Sequence, residues 1–125
     1  MDTDKIMPNM YGVPEVSVTE LADRQVNGDQ FVWLDVREPN EQAAVSIDDE
    51  RIYLLPMSRL ASEQLAALPD VAKDQDAEIV VMCHHGIRSA QVVAWLSQQG
   101  WTNVINLDGG IAAWASEVDP TVGTY

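Results

Sequence analysis

The stretch VVMCHHGIRSAQVVAWL, residues 80–96, decides how the rest of the chain is read. Its opening residues form an apolar run, which reads as a strand buried on both faces. The run stops at Cys83. Ser89 then opens a pattern with helical spacing that Gly100 closes, so a helix is expected over 89–99. The one cysteine of the chain therefore stands on the turn between a strand and a helix. A structural cysteine behaves as a small buried hydrophobe among apolar neighbours, but here His-His-Gly follows it. A thiol in this place is a candidate nucleophile, because the unpaired N–H groups and dipole of a helix start favour the thiolate.

The amides of residues 84–89 can curl around the Cys83 sulfur as an anion nest. Gly86 gives the tight loop its conformational freedom. Arg88 adds a permanent charge whose planar fork can brace the loop or hold an oxyanion. His84 and His85 argue weakly for metal. Adjacent side chains on an extended chain point opposite ways, and the sequence has no second cysteine or further histidine to complete a site. One imidazole is expected to line the pocket mouth while the other packs or faces solvent. Either would raise the local potential if protonated.

Working outward, short apolar runs alternate with helix-like stretches. Residues 13–16 read as a first strand, and Ser17-Val-Thr-Glu20 has capping-box spacing for a helix to about Val26, before Gly28. FVWLDV (31–36) reads as a buried strand, 39–44 as a short helix, and 52–55 as a strand ended by Pro56. A helix is expected over 58–68, with Ala61, Leu65 and Leu68 on one face and Pro69 stopping it. Strands at 78–82 and 103–107 follow, and Gly109-Gly110 leads into a short helix that holds Trp114. Such alternation implies a mostly parallel sheet covered on both faces, with ligands beyond the carboxyl ends of its strands. Cys83 ends one strand and Asp35 to Arg37 end another, so both fall on one rim. Trp33, Trp95, Trp101 and Trp114 are expected in the core or the pocket wall. Residues 1–12 and 117–125 read as tails around one domain at 13–116, the second tail laid against the surface.

The chain's 125 residues suffice for a single core, and its 46% apolar content suits a globular domain. No run approaches the roughly 18 apolar residues of a membrane span. The acidic start, MDTDKIMPNMYG, lacks the features of a signal peptide, so a cytoplasmic location is expected. A lone cysteine agrees with a reducing compartment. Seven basic against twenty acidic side chains give a net charge of −13, which disfavours nucleic acid and anionic membrane as partners.

CHHGIRS after an apolar strand and before a helix resembles the active-site loop of single-domain rhodanese-type sulfurtransferases. WLDVREPNE (33–41) is similar to the family's Asp-Val-Arg-Glu segment, and GWTNVINLDGGIAAW (100–114) to its closing strand, paired glycines and final aromatic helix. The resemblance covers about residues 13–116, in the family's order. It implies an α/β fold with a five-stranded, mostly parallel sheet and helices on both faces, and a ping-pong transfer of sulfane sulfur without cofactor or metal. Cys83 would take sulfur from thiosulfate or a similar anion and carry it as a persulfide. Cyanide or a cellular thiol, including a protein acceptor, would then remove it. The loop His84, His85, Gly86, Ile87, Arg88, Ser89 would bind the substrate. Asp35 and Arg37 would lie beside that loop, chiefly to fix its shape rather than to touch substrate. Asp108, Gly109 and Gly110 would share the rim as turn residues. The chain departs from the family at VSIDDERIYLLPM (45–57), where many members have a Gly-His-Ile-Pro-Gly-Ala-like segment.

Two rival readings are open to a cysteine loop of this kind. Cysteine phosphatases and arsenate reductases place five residues between Cys and Arg. Here four intervene, a ring better matched to one sulfur than to a phosphoryl group. A catalytically silent docking module is the second rival, but silent modules commonly lack the nucleophile that this chain keeps. With no second thiol to resolve a persulfide, discharge would need an external acceptor.

Overall fold

The structure is a computed structural model that describes residues 12–125, so the expected N-terminal tail lies, Gly12 apart, outside the described residues. The elements run β1 (Glu15–Val16), α1 (Val18–Val26), β2 (Val32–Asp35), α2 (Pro39–Ala44), β3 (Ile52–Leu54), α3 (Met57–Glu63), β4 (Ile79–Met82), α4 (Ile87–Gln98), β5 (Val104–Leu107) and α5 (Gly110–Glu117). Short 3₁₀ turns occupy Gln64–Ala67, Asp70–Ala72 and Pro120–Val122. The five strands form one parallel sheet in the order β1-β5-β4-β2-β3. This is the α/β architecture expected from the sequence. No helix among the described residues is long and apolar enough to cross a membrane.

The period of two along β4 sorts the core into two layers. Ile79, Val81 and Cys83 face the side covered by α4, packing with Leu34, Leu60, Val93, Leu96 and Trp101. Val80 and Met82 face the other side, among Leu21, Trp33, Leu107, Ile111 and Trp114. Trp33 and Trp114 pack with ring centroids 5.2 Å apart. Trp95 is half-buried against the first layer. Cys83 thus continues the alternation of its strand by one residue, and that step aims its side chain toward the start of α4.

Local chemistry sets most boundaries. Ser17 caps α1 by accepting from the Glu20 N–H at 3.1 Å. Pro39 begins α2, where its missing donor costs nothing. Two expectations need correction. The helix expected over 58–68 ends at Glu63, because Gln64 adopts a positive φ of 55° and resets the helical phase. Of the expected face, Leu68 is buried and Leu65 packs half-buried against the core, but Ala61 is exposed, and Leu60 and Ala67 are buried as well. The helix expected from Ser89 starts two residues earlier, at Ile87. Ile87 is exposed, so an apolar pattern could not reveal that first turn.

The acidic stretch after α2 is tied down rather than loose. Asp49 accepts from the Arg51 backbone N–H at 2.8 Å, Arg51 Nη1 at 2.7 Å and Gln25 Nε2 at 2.9 Å. Burial pushes the Asp49 carboxyl up, but these three donors outweigh it and hold the carboxyl below its ordinary value. The connection into β3 is thereby anchored to α1.

Candidate active site

At the carboxyl end of β4 the chain curls through residues 84–86 into α4, beneath which Cys83 is 1% exposed. Cys83 Sγ accepts the Gly86 N–H at 3.1 Å and the Ser89 N–H at 3.4 Å. Both donors belong to the loop and first turn, where helix geometry leaves N–H groups without internal partners. The Ser89 hydroxyl lies 3.3 Å from the sulfur. The nest expected around the thiol is therefore formed by two amides with a hydroxyl beside them.

The opening of α5 clamps the loop from behind. Ile111 N–H donates to the Cys83 carbonyl at 2.9 Å, and Ala112 N–H to the His84 carbonyl at 3.0 Å. Gly110 lies against these carbonyls with φ +61°, and a Cβ there would stand 2.6 Å from the His84 oxygen. Only glycine fits such an approach. Asn106, fully buried in β5, adds a third support. Its Nδ2 donates to the Gly86 carbonyl at 3.1 Å and to Glu15 Oε2 at 3.0 Å, while Oδ1 lies 2.5 Å from Ser89 Oγ.

Asp35 and Arg37 are both buried at the end of β2. Arg37 grips the Asp35 carboxylate with Nε at 2.9 Å and Nη2 at 2.8 Å, and its Nη1 donates to the Glu41 carbonyl at 3.2 Å. Burial pulls the Arg37 guanidinium down, yet Asp35 and Tyr125 together outweigh it and hold it above its ordinary value. The pair ties the end of β2 to the Glu41 carbonyl in α2.

Arg88 is engaged by a carboxylate. Its fork is bidentate on Glu41, at 2.6 and 2.8 Å, tying α4 to α2. Glu41 also accepts the Glu38 N–H at 3.2 Å and the Tyr125 hydroxyl at 2.8 Å. The Arg88 hydrogen bonds, helped by Tyr125 and Glu38 against the effect of burial, hold the Glu41 carboxyl down at about 2. The same pairing raises Arg88 further above its ordinary value.

The two histidines correct the extended-chain expectation. Because the loop is curled, their rings stack at 3.9 Å instead of pointing apart. His84 is half-buried and His85 exposed. Tyr125 covers the other face of His84 with centroids again 3.9 Å apart, and the Arg37 guanidinium carbon lies 5.5 Å from the Tyr125 ring centre. Burial, then His85, push the His84 imidazole below its ordinary value, with Glu41 pulling the other way. Among the described residues no group of three or more His, Cys, Asp or Glu could hold a metal ion.

Sequence reasoning thus located the loop and the Asp35–Arg37 pair, but missed Glu41, Asn106 and Tyr125. Asn106 left a signal, a polar residue inside the apolar VINL run. Glu41 stood only within the quoted WLDVREPNE segment with no role of its own, and nothing marked Tyr125.

A parallel α/β sheet with one thiol tucked beneath a helix start, at the carboxyl edge of its central strand, defines a cysteine-loop α/β domain. The chain belongs to the rhodanese-like domain family, whose model matches residues 17–117. A sulfurtransferase of Allochromatium vinosum is 36% identical over 110 residues, covering 88% of this chain and 95% of that protein. The probable adenylyltransferase/sulfurtransferase MoeZ of Mycobacterium tuberculosis is 36% identical over 111 residues, covering 88% of this chain but only 26% of that protein. The human single-domain sulfurtransferase TSTD1 has a similar structure, with a TM-score of 0.68 at 26% identity, covering 85% of this chain and 98% of that one.

Proposed function

We propose that this protein is a sulfurtransferase that carries sulfane sulfur on Cys83. The observation that bears most weight is the pair of backbone N–H groups, Gly86 and Ser89, directed at a single thiol under a helix start. Two similar proteins named as sulfurtransferases, both matched over nearly their whole length, support the same reading. In the first half-reaction the Cys83 thiolate attacks the outer sulfur of the donor, here thiosulfate. The new bond joins Sγ to that sulfur, the donor S–S bond breaks, and its electron pair leaves with sulfite. The terminal sulfur of the resulting persulfide is negative, and loop amides favour it electrostatically. In the second half-reaction a thiolate or cyanide attacks that terminal sulfur, and Cys83 leaves as the thiolate.

The loop residues His84, His85, Gly86, Ile87 and Ser89 bind the transferred sulfur and its donor in this scheme, with Asp35 and Arg37 holding the rim. The acceptor is a small thiol, cyanide or a protein thiol, and the reaction takes place in the cytoplasm. Thiocyanate formation from thiosulfate and cyanide tests the proposal. Wild-type protein is expected to turn over and Cys83→Ser to be inactive. After donor alone, intact mass should rise by one sulfur atom and stay raised until a thiol or cyanide is added, since the chain holds no resolving thiol. No added sulfur on Cys83, with hydrolysis of a generic phosphate ester, would overturn the proposal.

A further inference from the structure

The positive charges around the thiol are already engaged. Arg37 is paired with Asp35 and Arg88 with Glu41, both through two nitrogens. His84 is biased toward its neutral form by burial. The remaining described lysine and arginine side chains, Arg24, Arg51, Arg59 and Lys73, are also ion-paired. An incoming sulfonate therefore finds peptide N–H groups but, among the described residues, no unpaired guanidinium beside the sulfur.

The Glu41 carboxylate is saturated by two Arg88 nitrogens, the Glu38 N–H and the Tyr125 hydroxyl. Four well-placed donors fill the acceptor capacity of a carboxylate. Releasing Arg88 to a substrate would break two charge-assisted hydrogen bonds and leave Glu41 short of partners. Tyr125 strengthens the arrangement from the C-terminal segment, its ring seated on His84 and its hydroxyl on Oε2.

We propose that Glu41, latched by Tyr125, is a specificity-determining residue that withholds Arg88 from the substrate. The site is thereby set against donors with a sulfonate head and toward persulfides of uncharged thiols. This rests on the sulfur-transfer reading above and deepens it. A persulfide of an uncharged thiol needs only attack on its outer sulfur, with the S–S bond breaking and its electron pair leaving on the carrier thiolate. No headgroup has to be held, so the latched arginine is no handicap.

The test compares thiosulfate with the persulfide of 2-mercaptoethanol, using cyanide as the common acceptor. In Glu41→Gln the ion pair is gone and Arg88 is free to meet a sulfonate. The ratio of kcat/KM for thiosulfate to that for the persulfide is expected to rise about tenfold, mainly through a lower KM for thiosulfate. Tyr125→Phe keeps the ring stack and removes one donor to Glu41, so the ratio should rise by a smaller factor, about two. The gain should vanish in the double variant Glu41→Gln/Arg88→Met. An unchanged ratio in both single variants, or a gain that survives loss of Arg88, overturns the inference. Should Glu41→Gln fold poorly, Tyr125→Phe and Arg88→Met decide alone: the first must raise the ratio, and the second must leave wild-type discrimination intact. Mass analysis keeps the two proposals apart. A wild-type protein that takes sulfur from neither donor onto Cys83 refutes sulfur transfer itself, whereas loading from both with an unmoved ratio refutes only the latch.

Discussion

Ser89 has one hydroxyl proton and two groups within reach of it. Asn106 settles where that proton goes. Its Nδ2 faces a carbonyl and a carboxylate, both acceptors, so Oδ1 must be the atom turned to Ser89 and can only accept. The 2.5 Å contact therefore takes the Ser89 proton, and the serine presents a lone pair to the sulfur 3.3 Å away. Asn106→Asp is a sharp probe of this network. A carboxylate cannot donate to the Gly86 carbonyl and adds charge beside Glu15. The variant is expected to lose about 2–4 kcal/mol at neutral pH, combining an unsatisfied buried group with an uncompensated charge. The folded state should favour the protonated form of the introduced carboxyl, raising its pKa above the unfolded value of about 4. The penalty against wild type should then be smallest below that unfolded value and grow as pH rises through the folded one. Urea titrations at several pH values measure it, and a deficit independent of pH would contradict the assignment. Polarity at position 106 was readable from the sequence. Its partner, 17 residues away on α4, was not, because that pairing depends on β5 lying next to β4 in the sheet.

At the scale of elements, α2 and the opening of α5 do most to shape the site. Glu41 serves at once as the third residue of a short helix and as the counter-ion of an arginine 47 residues away. From sequence, only the first role has a signature, since local spacing carries no information about α4. Its carboxyl is held at about 2, below the ordinary 4.5, so the latch contributes stability above pH 4.5 and loses it as pH falls toward 2. The stability difference between wild type and Glu41→Gln should narrow across that window and hold steady from about pH 5 to about pH 8. Urea midpoints measured at each pH check this, and a difference that widened on acidification would reverse the sign. The α5 clamp is tested by Gly110→Ala, where a side chain at φ +61° meets the loop carbonyls. About 1–2 kcal/mol of backbone strain is expected, seen as a lower Tm. Displacement of the loop should reduce sulfur transfer by at least about tenfold. Wild-type transfer by a folded Gly110→Ala protein would mean that the clamp does not position the thiol. The twin glycines and the aromatic helix were legible as turn and helix. The hydrogen bonds that run from Ile111 and Ala112 back to the loop needed the three-dimensional arrangement.

For the whole molecule, the decisive quantity is a net charge of −13, with every described arginine and lysine side chain engaged by a carboxylate. The charge excess was plain in the sequence. The pairing that leaves the site without an open cation among the described residues was not, because pairs such as Arg24–Glu78 and Arg88–Glu41 join distant segments. A dianionic donor is repelled over distances comparable to the Debye length, about 10 Å at about 0.1 M salt, with little local attraction to offset it. Raising ionic strength from about 0.01 to about 0.3 M should therefore increase kcat/KM for thiosulfate, by roughly two- to fivefold for a field of this kind. The persulfide of 2-mercaptoethanol carries less charge and should respond less. Glu41→Gln should flatten the thiosulfate response as well, since an unpaired Arg88 adds a short-range attraction that salt weakens. Stopped-flow or steady-state rates across a chloride series separate these slopes. A steep fall with salt in the wild-type protein would mean that a local positive field dominates, and the charge argument would then fail at this largest scale.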